Sequence, residues 1–366
     1  MYNTKTVRKF IFIILLITSI NIVSAQDTRI EQPVNNFEKL WNEFNARYAS
    51  FKIKNINWSE IYKKYRPLIN ENTTNDSLFK VCNKMLLELK DGHVNLIHYG
   101  KKGKVINKAS DGSSSKFLKK FPLSKEEKPN IYQLLKTTDK TLKDKGFSIV
   151  GVSKKGSMEY AISKDYGYLR ILSMGNLSIS DYRKHVDKAV NAFENLKGVI
   201  IDIRFNGGGD DKTSFEIASR FTDKKRIVLY KRERKKGTSE FKKLETKHLK
   251  PSGKKQFTKP IIILTSDLTA SAAEVFTMIM KELPYVTIVG DHTNGIFSDM
   301  YDFKLPNGWL ATLSHQQYFS SEMKNFESIG IEPDIKLLNE PQNIIDKIDP
   351  LIGKGIEELK KTTANN

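Results

Sequence analysis

The stretch from residue 166 to residue 289 constrains the fold more than any other part of the chain. Short apolar runs at 199–203, 261–264 and 286–289 alternate with amphipathic segments of helical period. A run such as Val199-Ile200-Ile201-Asp202-Ile203 has almost no polar face, so it fits only a strand covered on both sides. Strand–helix–strand alternation supplies that cover through parallel crossovers. The expected strands are 166–172, 199–203, 227–230, 261–264 and 286–289, with helices at 179–196, 212–221 and 271–283. On the first helix Tyr182, Val186, Ala189, Val190 and Phe193 share one face. An alternating strand lies near 309–313. The core is α/β.

Residues 35–90 read differently. Phe37, Leu40, Trp41 and Phe44 recur at helical spacing, as do Leu78, Phe79, Cys82, Met85, Leu86 and Leu89. The polar segment 72–76 between them carries helix-capping chemistry. Cys82 falls on the apolar face and is expected in the core. As the single cysteine, it excludes an intrachain disulfide and a cysteine-cluster metal site. From 94 to 160 periodicity is weak, and loops, a hairpin or two and one helix near 131–143 are expected.

Lys5, Arg8 and Lys9 precede an apolar run at 10–22, and Val23-Ser24-Ala25 offers small residues before Gln26. This is the pattern of a secretory leader cleaved near Ala25-Gln26, so an exported (periplasmic or extracellular) protein with no transmembrane segment in its mature chain is expected. The chain carries a formal net charge of +19. Much of that excess lies in 224–255, where fourteen Lys and Arg face three Glu. The stretch is expected to be a solvated excursion, with docking to an acidic polymer or surface as its alternative use. Only Tyr230 and Phe241 accompany the cations, so the stacking platform of a nucleic-acid binder is not evident, and no specific nucleic acid is expected.

Two strand-to-helix turns hold the candidate chemistry. In the first, Asn206-Gly207-Gly208-Gly209 lets the backbone approach a ligand with uncovered N–H groups. In the second, Ser271-Ala272-Ala273-Glu274 opens a helix after a buried strand. A serine there is an ordinary N-cap, or a nucleophile at a helix end whose free N–H groups favour developing negative charge. The N–H of Ala272 and one from the glycine run could then hold an oxyanion. Asp91-Gly92-His93 places a histidine where the helical region meets the core. His292 lies closer to the second turn in sequence, within Gly290-Asp291-His292-Thr293-Asn294-Gly295.

In this order the motifs resemble the C-terminal processing (tail-specific) serine peptidases, including their tricorn core branch. The similarity runs over about 35–340, through Asp91-Gly92-His93, the Asn206–Gly209 glycine run, Thr269-Ala270-Ser271 and Gly330-Ile331-Glu332-Pro333-Asp334. The resemblance implies a ClpP/crotonase-like catalytic core with an N-terminal helical cap domain. It makes Ser271 the nucleophile and gives the oxyanion to Ala272 and Gly208 or Gly209. Ser–Lys members carry a lysine about two dozen residues after the serine, whereas here the segment is Asn294-Gly295-Ile296-Phe297-Ser298. The tricorn-like arrangement instead implies His93 as base and Glu327 as its orienter, with Glu332 and His292 as secondary candidates. Gly92 stands where that branch has a serine. Segment 94–160 lacks the carboxylate-binding loop pattern of a PDZ domain.

The expected organisation is a leader at 1–25, a helical cap at 26–92, a catalytic core at 93–345 and a C-terminal helix or tail at 346–366. The expected activity is endopeptidase hydrolysis of proteins or peptides through an acyl-enzyme, with no metal or organic cofactor. The alternative is an inactive relative that holds an apolar ligand or a peptide. An imidazole base, with Glu327 accounting for the upper values, implies that kcat/KM falls on the acid side with an apparent pKa of about 6–7.5.

Overall fold

The computed structural model of the chain describes residues 33–99, 105–109 and 115–364. The leader at 1–25 lies outside the described residues. Among those described, no helix is long and apolar enough to cross a membrane.

Three helices open the described chain, at Pro33–Arg47, Trp58–Tyr65 and Asn75–Leu87. Asn57 and Thr74 cap the second and third by accepting from Glu60 and Ser77 N–H. Phe37, Leu40, Phe44, Leu78, Phe79 and Cys82 are buried together, as their spacing required. Burial pushes the Cys82 thiol up to about 12, so it is an inert core group.

The strands, in chain order, begin with β1 (Asn95–Tyr99), β2 (Val105–Ala109), β3 (Ser148–Val152), β4 (Met158–Ile162) and β5 (Tyr166–Ile171). Next come β6 (Gly198–Asp202), β7 (Arg226–Glu233), β8 (Glu245–Leu249), β9 (Ile261–Thr265) and β10 (Val286–Gly290). The last four are β11 (Met300–Lys304), β12 (Leu310–Ser314), β13 (Gln316–Ser320) and β14 (Ile335–Lys336).

A seven-stranded sheet runs β14-β10-β9-β6-β5-β4-β3. Its middle pairs, β10 with β9, β9 with β6 and β6 with β5, are parallel. Alternate residues serve opposite faces. Val199, Ile201, Ile261 and Ile263 pack under the helix Ile179–Phe193 and the helix Ala272–Lys281, which is buried from Ala272 to Met280. Ile200, Ile262 and Leu264 meet Leu351, Ile352 and Leu359 of the helix Pro350–Ala364. Each such side chain contributes about 1.5–3 kcal/mol by leaving water. The result is a sheet covered on both faces in a mixed α/β fold with a helical N-terminal region, as the apolar runs required.

The N-terminal helices do not close their core alone. A second sheet, β11-β12-β1-β2, lays Leu96, Trp309, Ala311 and Leu313 against them. Strands from far down the sequence therefore complete the helical unit.

Residues 224–255 are mostly exposed, as expected of a solvated excursion, but carry more regular structure than the one strand foreseen at 227–230. β7 and β8 form a hairpin on β13, and Val228, Leu229 and Leu249 are buried beneath it. Many of its cations are spent within the fold, among them Lys231 on Asp299, Lys242 on Glu233 and Lys247 on Glu245. Its tip reaches the N-terminal helices. Gly237 N–H donates to Ala46 O at 2.9 Å, and Arg234 Nη1 to Tyr48 O at 2.7 Å.

Candidate active site

The two turns singled out in the sequence are fastened to each other at the carboxyl ends of β6 and β9. Thr269 Oγ1 donates to Ile203 O at 3.0 Å, and Ala270 N–H to Asn206 O at 3.1 Å. Asn206 is buried and braces its own turn, donating to Ile171 O and accepting Gly208 N–H at 2.8 Å. Beneath them Arg204 is locked between Asp202 and Asp349, at 2.6 and 2.9 Å.

Ser271 ends the second turn with φ 55° and ψ −125°. A residue with a side chain rarely adopts this conformation, which costs on the order of 1–3 kcal/mol and persists only where the surroundings enforce it. Here they do. Glu274 Oε2 accepts Ser271 N–H at 3.1 Å and Ile296 N–H at 2.9 Å, while Oε1 accepts Gly295 N–H and Thr293 Oγ1 at 2.7 and 2.6 Å. Burial pushes the Glu274 carboxyl up to about 7 against these four donors.

The glycine run lies against this turn. A Cβ on Gly208 would fall 2.8 Å from Ser271 Cβ and 3.1 Å from Ala272 N, so only glycine fits. The expectation that Gly208 supplies an oxyanion donor needs correction, because its N–H is already committed to Asn206 Oδ1. Gly209 makes its bridge to Met174 without using its own N–H, since the bonds run from Met174 N–H to Gly208 O and from Asp210 N–H to Met174 O. Ala272, first residue of its helix, has no intrahelical acceptor. These two N–H groups remain for a developing negative charge.

His93 is buried where the helix Asn75–Leu87 gives way to β1. Asp91 Oδ1 accepts its N–H at 2.9 Å, and its carbonyl accepts Thr312 Oγ1 at 2.6 Å. Burial holds the imidazole below its ordinary value, and the nearby Lys54 cation adds to this while Asp91 and Asp299 oppose it. Its Nδ1 has no hydrogen-bond partner.

Glu327 is equally buried. Its Oε2 accepts Phe297 N–H at 2.9 Å, and Oε1 lies 3.3 Å from Lys54 Nζ without a hydrogen-bond partner. Burial and the adjacent Asp91 carboxylate push it up to about 8. The bond to His93 expected from the resemblance is thus not formed, and Lys54 takes that oxygen instead. Tyr48 Oη donates to Asp91 Oδ2 at 2.8 Å, completing a buried cluster of Tyr48, Lys54, Asp91, His93 and Glu327.

The secondary candidates lie elsewhere. Glu332 is exposed, and its carbonyl accepts Lys281 at 3.3 Å. His292 donates from Nδ1 to Thr293 O at 2.7 Å. Beside the glycine turn a cleft of about 570 Å³ opens, lined by Asp210, Asp211, Phe215, Leu229, Lys231 and Tyr318. At its floor Tyr318 Oη donates to Asp211 Oδ2 at 2.8 Å, and burial pushes that carboxyl up to about 6. The sequence reading missed Lys54 and the role of Glu274. The spacing Ser271-x-x-Glu274, a capping-box signature, could have signalled the latter.

Comparison with known proteins adds the relatives. Residues 165–337 match the profile of peptidase family S41, and residues 31–87 that of the tricorn protease C1 domain. The carboxy-terminal-processing protease of Bartonella bacilliformis is 26% identical over 186 residues, 50% of this chain and 41% of that protein. The tricorn protease of Thermoplasma volcanium is 28% identical over 196 residues, 52% of this chain and 17% of that one. This chain therefore spans about two fifths or less of the length of these curated relatives. A crystal structure of a peptidase candidate from Parabacteroides merdae superposes with a TM-score of 0.74 at 27% identity, covering 90% of this chain and 97% of that one. The chain thus carries a peptidase family S41 domain at 165–337 and a tricorn protease C1 domain at 31–87, consistent with the C-terminal processing peptidases it resembles.

Proposed function

We propose that the chain is a serine endopeptidase that cuts protein or peptide substrates through an acyl-enzyme. The enforced backbone of Ser271 carries this reading. An ordinary N-cap gains nothing from a positive φ, a glycine pressed against its Cβ and a buried carboxylate on its own N–H.

In this reading Ser271 Oγ attacks the scissile carbonyl and passes its proton to His93, which later returns it to the leaving amine. The N–H groups of Ala272 and Gly209 hold the oxyanion, helped by the positive end of the helix Ala272–Lys281. Glu327 orients the imidazole. Two observations support that role: His93 Nδ1 and Glu327 Oε1 are both buried without hydrogen-bond partners, and a bond between them would satisfy both. Such bonds commonly tighten only once substrate is bound. The cleft beside Asp210 receives a substrate side chain.

The test is fluorophosphonate labelling of the purified chain, followed by mapping of the modified residue. Labelling at Ser271, lost in Ser271→Ala and His93→Ala, is the expected result. A chain that resists the reagent yet binds apolar ligands tightly would instead be an inactive relative. Residues 1–25 act as an export leader in this reading, and mass spectrometry of the mature N-terminus should find Gln26. Exposed Lys236, Lys243 and Lys254 leave an acidic polymer or surface a foothold, which salt-sensitive retention on heparin would reveal.

A further inference from the structure

Lys54 belongs to neither turn nor to any motif, yet its ammonium lies inside the site. The side chain is 6% exposed. Its Nζ donates to Lys90 O at 2.9 Å and stands 3.3 Å from Glu327 Oε1 and 4.0 Å from Asp91 Oδ2. Three oxygens, two from the adjacent residues Lys90 and Asp91 and one from distant Glu327, converge on one cation. Lys90 adopts φ 46°, unusual for a residue with a side chain, as it presents that carbonyl. Buried lysines are rare unless paired, and this one is paired to the carboxylate that the peptidase reading assigns to the base.

We infer that Lys54 is a positioning residue of the active site, holding Glu327 at the place from which it serves His93. The inference rests on the peptidase reading and extends it to a residue of the N-terminal helical region. The charges facing Glu327 are Lys54 and Asp91, with the Tyr48 hydroxyl behind Asp91 and the Phe297 N–H on its other oxygen. Asp299 also acts on the charge of His93. With Lys54 present, one cation stands among two carboxyl groups, and the imidazolium formed in the reaction supplies the second. Without Lys54, the Glu327 carboxyl faces Asp91 alone and keeps its proton. A protonated carboxyl at Oε1 no longer steadies an imidazolium. Lys54 also lowers the pKa of His93 directly, so its removal pushes both groups upward.

A purely structural pin between segments would change folding but not titration, and this separates the two roles. The experiment measures fluorophosphonate labelling of Ser271 from pH 5 to 10 in the wild type, Lys54→Arg and Lys54→Met. The His93 ring is titrated by NMR in the same proteins. Lys54→Met should move the acid limb of labelling up by about one pH unit and raise the His93 titration, while Lys54→Arg restores both. Lys54→Gln keeps a donor for the Lys90 carbonyl without the charge. It carries the same expectation if the methionine variant does not fold. A folded neutral variant with both titrations unmoved would overturn the inference. If the wild type is not labelled at Ser271, the peptidase reading fails by itself, and the His93 titration, which needs no turnover, still decides the role of Lys54.

Discussion

Gly208 leaves no room for a side chain against Ser271, because a Cβ built on the glycine would stand 2.8 Å from the serine Cβ. The contact joins the two turns into one wall, with the N–H groups of Gly209 and Ala272 beside it. Ser271→Ala should therefore fold as the wild type does yet lose peptide hydrolysis by roughly a thousandfold or more. Ser271→Gly should be equally inactive but more stable, by about 1 kcal/mol, because glycine accepts φ 55° without strain. Paired thermal melts and peptide assays check both. A glycine variant less stable than the alanine one would contradict the strain.

Glu274 is the strut behind that wall. Glutamine in its place would turn an amide NH₂ toward two N–H donors, either Ser271 and Ile296 or Gly295 and the Thr293 side. Glu274→Gln should lower stability by about 2–4 kcal/mol and depress kcat more than KM, since Ser271 loses its backbone tether. Denaturant unfolding and steady-state kinetics read the two effects separately.

Activity should rise with pH later than an ordinary histidine would dictate. Burial holds His93 below its usual value and pushes Glu327 up to about 8, so the acid limb of kcat/KM belongs to the carboxyl. An apparent pKa near 8 is expected, in place of the 6–7.5 expected of an imidazole raised at most modestly by Glu327. Glu327→Gln should flatten the limb between pH 7 and 9 and lower the plateau. A limb unchanged in that variant would assign the titration elsewhere.

Stability should run the other way. Glu274 and Glu327, raised from 4.5 to about 7 and about 8, bind their protons more tightly in the folded chain. Their contribution is complete below pH 4.5 and is lost as pH rises through 7 and 8. The buried histidines His93, His185 and His315, held below 6.5, work in the opposite sense, but only as pH falls through and below 6.5. Between pH 6.5 and 8.5 the chain should lose on the order of 2 kcal/mol, seen as a falling Tm. Glu327→Gln should show a shallower slope.

The β7–β8 hairpin should matter for more than charge. Arg234 donates from Nη1 to Tyr48 O at 2.7 Å and lies 5.4 Å from the Phe51 ring centroid. Tyr48 in turn holds Asp91. Arg234→Ala should therefore cost about 1–3 kcal/mol and reduce kcat/KM, and raising salt should not mimic the effect. Lys236→Ala, at the exposed tip, is the control and should leave kinetics unchanged.

How much of this could be read in the chain depended on the range of the interaction. The parallel sheet was legible because Val199, Ile201, Ile261 and Ile263 each need cover, a local demand visible in a few residues. Ser271, His93 and the glycine run were legible as motifs. At 224–255 the exposed character and the strand at 227–230 were legible, but β8 was not, because lysines and polar residues surround its one buried side chain, Leu249. Lys54 left no trace. Its partner Glu327 lies far along the chain, and no spacing rule connects a lysine in an early turn to a carboxylate in a late loop. The commitment of Gly208 N–H to Asn206 was likewise beyond reach, since a glycine run shows where N–H groups are open but not which of them is spent.

Ser271 rides on the large sheet, whereas His93 and Lys54 belong to the helical unit that β11 and β12 complete. Glu327, fixed on the Phe297 amide and paired with Lys54, and Arg234, donating to Tyr48 O, clasp the two halves together. Catalytic competence is then a property of the joint, not of either half. A sub-global opening at that clasp would part base from nucleophile while every strand of the large sheet stayed paired. The chain would fall silent on heating before it melts, and would recover on cooling as the clasp re-formed.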